Sequence, residues 1–300
     1  MSKATRIRRE NAREKIAAQR AAAQRAEMRR RVFITAGSIL AVVVVVVVFI
    51  VIKATNKPAS SSASASSPGG TALPASVAKN LTTVPASTLT AVGPGTAYAK
   101  SVTSISGTPL TANGKPEVLY IGAEYCPYCA TERWAMVVAL SRFGTFSGLH
   151  GIYSSSTDTP ASVPTVTFYK STYTSKYLTF TPVETTTQDR NTPLQTPTAA
   201  QQALLNKYDA PPYVSAQSKG AIPFIDFGNK YLVSGAQYNP AVLAGMTWSQ
   251  VAAALKDPAS PVAKGANGAA NLLTAAICKL TNNQPSNVCT AQIKSLQGQI

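Results

Sequence analysis

The sequence predicts an α/β domain held behind a single N-terminal membrane span. Three features carry that prediction. Val32–Ile52 is a run without a charged side chain, and its 21 residues would cover about 31 Å as a helix, the thickness of a bilayer's hydrocarbon. Val118–Ile121 is a short apolar run of strand type that leads, through Cys126, into a helical run from Cys129 to Phe143. Beyond it, strand-like and helix-like segments follow one another, as in a sheet covered by helices.

The chain has a net charge of +16, and much of it sits in residues 1–31, where Lys and Arg far outnumber Glu10, Glu14 and Glu27. Arg29, Arg30 and Arg31 stand immediately before the apolar run. That bias holds the N-terminal side in the cytoplasm and places residues 53–300 outside. A cleaved signal peptide is the rival reading. It fits less well, because the polar segment is long and the apolar core exceeds the usual ~7–15 residues. The basic tail, rich in Ala, Arg and Gln, reads as a topogenic, partly disordered segment. Lipid headgroups suit its charge better than nucleic acid, because the membrane is adjacent.

Residues 53–86 are dominated by Ser, Ala, Pro and Gly and hold too few large apolar groups for a core, so they read as a flexible linker. The folded domain is expected over 87–300. From Ser87 to Gly114, Gly and Pro breaks and the Asn113-Gly114 turn signal predict an N-terminal strand or hairpin. The helix after the cysteines is nearly all apolar from Trp134 to Leu140 and is expected to pack inside, leaving its cysteine end accessible. His150–Ser155 reads as a second inner strand, and His150, the one histidine of the chain, as structural. Val163–Thr187, dense in Thr, Tyr, Phe and Val, predicts a two-stranded hairpin. Its Tyr169, Tyr173 and Tyr177 read as packing residues rather than peptide contacts. Thr198–Tyr208 and Trp248–Lys256 predict helices, Ala221–Ser234 a hairpin turning at Gly228-Asn229, and Leu272–Leu280 an apolar helix.

The four cysteines divide into two pairs. Cys126 and Cys129 open the predicted helix, where unpaired backbone N–H groups and the positive end of the helix dipole favour a thiolate. Such a position draws a cysteine pKa from about 8.5 towards roughly 3.5–7.5. Cys126 is then the attacking sulfur, and Cys129, one turn further in, resolves the mixed disulfide. A static disulfide is the alternative. Zinc fits poorly, because the second pair lacks knuckle spacing and a single histidine cannot complete four ligands. Cys278 and Cys289 flank a Gln284-Pro285-Ser286 turn and suit a structural disulfide in an oxidising compartment, contributing roughly 3 kcal/mol by loop closure. A second redox relay is the lesser reading. No phosphate-binding glycine loop and no metal-binding helix motif competes. Asp226 is expected to face solvent from its strand.

Ala123-Glu124-Tyr125-Cys126-Pro127-Tyr128-Cys129 resembles the redox stretch of the thioredoxin superfamily, with Tyr125 in the place of the usual Trp, and Pro127-Tyr128 is similar to the glutaredoxin pair. Ile222-Pro223, just before Phe224–Phe227, resembles the superfamily's cis-proline element, which packs beside the active disulfide and offers backbone groups to a substrate strand. The whole layout, with basic tail, span, Ser-rich linker, redox stretch and C-terminal cysteine pair, is similar to an uncharacterised family of membrane-anchored thioredoxin-like proteins carrying a domain of unknown function. The resemblance implies a thioredoxin-like fold. Three departures stand out. Tyr120 occupies the position where thioredoxins bury an acid that assists proton transfer. Pro223 follows Cys126 at a distance beyond a minimal thioredoxin, which places a β-rich insertion at about 156–197. Glu124, two residues before the nucleophile, is expected to face solvent.

The expected activity is that of a membrane-anchored, extracytoplasmic thiol–disulfide oxidoreductase that exchanges disulfides with protein thiols through Cys126 and Cys129. Tyr125, Pro127, Tyr128, Ile222 and Pro223 shape the site, and a membrane-embedded redox partner is expected to regenerate it. No cofactor, metal or nucleic acid is called for. The outward location slightly favours oxidase or isomerase over reductase. The alternative is a thioredoxin-like scaffold that holds a partner through 156–197, with Cys126–Cys129 as a static disulfide.

Overall fold

The computed structural model describes residues 69–98 and 100–300. The basic tail 1–31, the expected span 32–52 and the linker as far as residue 68 lie outside the described residues. Among the described residues no helix is long and apolar enough to cross a membrane.

The chain runs through β1 (Thr71–Ala72), α1 (Ala75–Thr82), α2 (Ala86–Val92), β2 (Thr103–Ser104), β3 (Thr111–Ala112), β4 (Lys115–Gly122), α3 (Pro127–Leu140), β5 (Gly144–Ser147), β6 (His150–Tyr153), β7 (Pro164–Thr167), β8 (Thr172–Ser175) and β9 (Thr179–Glu184). It continues through α4 (Ala199–Tyr208), β10 (Phe224–Phe227), β11 (Tyr231–Ser234), α5 (Trp248–Ala254), α6 (Gly268–Leu280) and α7 (Ala291–Leu296). The protein is thus mixed α/β.

β4 is the centre of the main sheet. It pairs parallel with β9, from Glu117 opposite Thr179 to Gly122 opposite Glu184, and antiparallel with β10, from Val118 opposite Phe227 to Ile121 opposite Phe224. β11 and β2 extend the sheet beyond β10, giving the order β2-β11-β10-β4-β9. β3 joins the start of β4 through Asn113-Gly114, whose φ angles of 53° and 72° are the left-handed values that Asn and Gly adopt most readily. β4 is covered on both faces, which is why Val118–Ile121 is continuously apolar rather than alternating. Val118 and Tyr120 enter a large core with Trp134, Phe168 and the residues of α6, whereas Leu119 and Ile121 enter a smaller one with Val183, Phe224, Leu232 and Tyr208 of α4.

α3 begins at Cys126, whose Sγ accepts the Cys129 N–H, with Pro127 in the first turn where a missing N–H costs nothing. Every residue of α3 except Tyr128 is buried. At its far end Arg142 donates to Asn271 and Thr274 of α6 (3.3 and 3.1 Å), tying the two helices together. Two smaller sheets, β1-β6-β7 and β5-β8, complete the fold. The expected helices at 198–208, 248–256 and 272–280 appear as α4, α5 and α6, and the expected hairpin at 221–234 as β10-β11.

Other expectations are corrected. The linker ends before residue 86: β1, α1 and α2 belong to the folded unit, because Val77, Leu81 and Leu89 insert into the main core and Pro74 and Pro85 start the helices. For the same reason the stretch 87–114 opens as helix, and only the two-residue strands β2 and β3 follow. Val163–Thr187 is not a hairpin, since β7 pairs with β6, β8 with β5 and β9 with β4. β9 is therefore a strand of the central sheet, so 156–197 is not a self-contained insertion. A parallel neighbour arrives by a long crossover and leaves no local signal of its partner. Asp226 does not face solvent: it lies on β10 between two partner strands, and its Oδ1 accepts the Asn229 N–H of the turn (2.7 Å).

Candidate active site

Seven of the residues singled out by sequence come together where β4 ends and β10 begins. Gly122 closes β4, Ala123–Tyr125 turn the chain, and Cys126 caps α3. The Cys126 Sγ accepts the backbone N–H of Cys129 (3.2 Å) and donates to the carbonyl of Ile222 (3.6 Å). The Ile222–Pro223 bond is cis, and the Pro223 carbonyl accepts the Gly235 N–H (2.8 Å), which pins this loop to the end of β11. Both cysteines are free thiols, Cys126 being 5% exposed and Cys129 fully buried. Tyr128, between Pro127 and Cys129, is 49% exposed and marks the open side.

Cys278 and Cys289 form a disulfide elsewhere. Leu280, two residues beyond Cys278, lies against Gly228, at the opposite end of β10 from Pro223. The fold thus does not bring the second cysteine pair to the first.

The two thiols of the first pair are not equivalent. The hydrogen bond from the Cys129 side chain is the main reason that Cys126 lies below the ordinary thiol pKa. Burial opposes it, and the Cys129 N–H and the positive charge of Arg133 add to it. Cys129 moves the other way: burial pushes its thiol well up, and its place as donor to Cys126 pushes further. Of the two thiols, Cys126 is the one that gives up its proton more readily, and in doing so it releases its bond to the Ile222 carbonyl.

A set of charges lies behind the pair. Arg133, fully buried on α3, donates through Nε and Nη2 to the two carboxylate oxygens of Glu184 (2.8 and 2.7 Å), and Nη2 also donates to the Ala123 carbonyl (2.7 Å). Its guanidinium carbon lies 5.9 Å from the centre of the Tyr120 ring. Tyr120 is buried, and burial holds its hydroxyl well above the usual pKa. Glu124 is not in solvent as expected. It is 2% exposed, because its N–H is held by the Thr186 carbonyl (2.9 Å) and the side chain turns inward. Burial raises its carboxyl pKa above the usual range.

The rim is built by two loops. The Tyr125 carbonyl accepts the Ser155 N–H (2.8 Å), and the Arg190 guanidinium lies 4.4 Å from the centre of the Tyr125 ring, where Asp158 pairs with it. Sequence reasoning missed Arg133 and Glu184. The cation was visible as one of only two charges between Ala130 and Leu140; its partner appears only once β9 is laid beside β4. His150 is half-buried on β6, paired with Ala72 and Thr167.

No curated protein and no solved structure matches the chain. A family model matches residues 101–279, more than half of the length, and by it the chain belongs to the family described as a domain of unknown function (DUF929).

Proposed function

We propose that the described domain is a thioredoxin-like thiol–disulfide oxidoreductase, carried outside the membrane by a span at residues 32–52. The observation that carries the reading is the Cys126 sulfur, which caps α3, accepts the Cys129 N–H and touches the Ile222 carbonyl. The strand order β9-β4-β10-β11, with the cysteine helix after β4 and Ile222-Pro223 before β10, supports the thioredoxin-like assignment.

In the reductive direction the Cys126 thiolate attacks a substrate disulfide, forming a mixed disulfide and releasing one substrate thiolate, which takes up the proton that Cys129 gives up. The Cys129 thiolate then attacks the Cys126 sulfur, closes the Cys126–Cys129 disulfide and releases the second substrate sulfur. Two electrons pass to the substrate. Run in reverse, the same steps donate a disulfide. A stabilised Cys126 thiolate makes the reduced form the favoured one and so supports oxidase or isomerase work. A membrane-embedded redox protein is the proposed regenerating partner.

Cys129→Ser tests the reading in cells expressing the full chain. Protein adducts linked through Cys126 are expected to accumulate and to disappear when Cys126 is also replaced. Absence of adducts overturns the proposal and leaves a scaffold with a static pair.

A further inference from the structure

The mechanism above uses the two sulfurs and the Ile222 loop but not the ion pair behind them. Arg133 follows Cys129 by four residues, so the two leave the same face of α3. Glu184 holds the Nε/Nη2 edge of its guanidinium, and the Ala123 carbonyl, in the turn that carries Cys126, accepts a further bond from Nη2. The remaining nitrogen, Nη1, is buried without a hydrogen-bond partner, as is the Tyr120 hydroxyl. Replacing a buried pair of this kind by apolar side chains is often neutral or stabilising, so burial of Arg133 and Glu184 is weak evidence of a stabilising role.

The charged and titratable groups around Cys126 are few. They are Tyr128, Cys129 and Arg133 on α3, Tyr120 on β4, Glu124 and Tyr125 in the turn, Glu184 on β9, Asp189 and Arg190 in the loop that follows, and Asp158 at the rim. Arg190 is exposed and already paired with Asp158, which leaves Arg133 as the buried cation.

We infer that Arg133 is a positioning residue of the redox site, held by Glu184 and the Ala123 carbonyl as the buried counter-charge of the Cys126 thiolate, so that the cluster stabilises the reduced pair. The inference rests on the proposed thiol–disulfide exchange. In that exchange a substrate dithiol supplies two electrons to the Cys126–Cys129 disulfide and becomes a disulfide itself. Of its two protons, one goes to Cys129 and one to solvent, while Cys126 stays ionised. Arg133 also shifts both sulfurs in the direction of the thiolate.

The test is the pH dependence of Cys126 alkylation by iodoacetamide, together with the equilibrium of the pair against glutathione, in the full-length protein in detergent. Arg133→Met/Glu184→Leu removes both charges. It is expected to raise the alkylation midpoint by about one pH unit and to make the disulfide about tenfold harder to reduce. Arg133→Lys is expected to keep the midpoint close to the parent. Glu184→Gln leaves the cation and removes its anion, and is expected to move the midpoint down. A purely structural pair does not produce shifts of opposite sign. If folded variants, checked by tryptophan fluorescence, leave the midpoint and the equilibrium where they are, the inference is overturned. Shifts that persist in a protein giving no Cys129→Ser adducts would overturn the exchange reading alone and leave the counter-charge role standing.

Discussion

Glu184→Leu is expected to destabilise the protein by about 3–5 kcal/mol, the cost of leaving a buried cation without its anion. The structure sets the size of the effect. Glu184 is fully buried and accepts two bonds from Arg133 at 2.8 and 2.7 Å and a third from the Phe168 N–H at 3.3 Å. After the substitution Arg133 keeps only the Ala123 carbonyl, and the Phe168 N–H loses its acceptor. In a domain of this size about 1 kcal/mol moves the melting temperature by about 2–4 °C, so a fall of about 10 °C is expected. Thermal unfolding followed by tryptophan fluorescence, to which Trp248 and the fully buried Trp134, its indole N–H on the Pro164 carbonyl (2.8 Å), both contribute, reads it. Adding Arg133→Met removes the stranded charge and is expected to recover most of the loss. If the single variant loses less than about 1 kcal/mol, or the double variant is no better than the single, the cost does not lie in an uncompensated charge and the reasoning fails.

Two further outcomes are expected. Replacing both Cys278 and Cys289 by Ala opens a loop with a sequence separation of 11 and is expected to cost about 3 kcal/mol of stability, with the alkylation rate of Cys126 unchanged; lost exchange with retained stability would instead point to a relay. Stability is also expected to fall as pH rises from about 4.5 to 8. Glu132, buried on α3 with the Gln237 N–H on Oε2 (2.9 Å), has its carboxyl pKa raised by burial to about 8, and Asp226, likewise buried, has its own raised to about 7. Each therefore binds its proton more tightly folded than unfolded, the stabilisation being complete below the unfolded value and lost as pH climbs through the folded one. Glu132→Gln is expected to flatten that profile and to stabilise the protein most at about pH 8. A profile of unchanged slope, measured by unfolding at pH 5 and 8, would remove Glu132 from the account.

The mixed α/β class and the cysteine junction were legible because their signals are local. An apolar run, two cysteines with a proline between them, and a buried helix lie within one short stretch, and the chemistry of a helix start acts over a single turn. The Gly228-Asn229 hairpin is local in the same sense. Composition misled where a few side chains outweighed many: Val77, Leu81 and Leu89 draw a Ser- and Ala-rich stretch into the core. What only the tertiary structure decided is which strand lies beside β4, and with it that Glu184 meets Arg133 and that Glu124 and Asp226 turn inward. Burial and charge pairing depend on neighbours distant in sequence, and residue spacing carries no information about which distant strand will supply them.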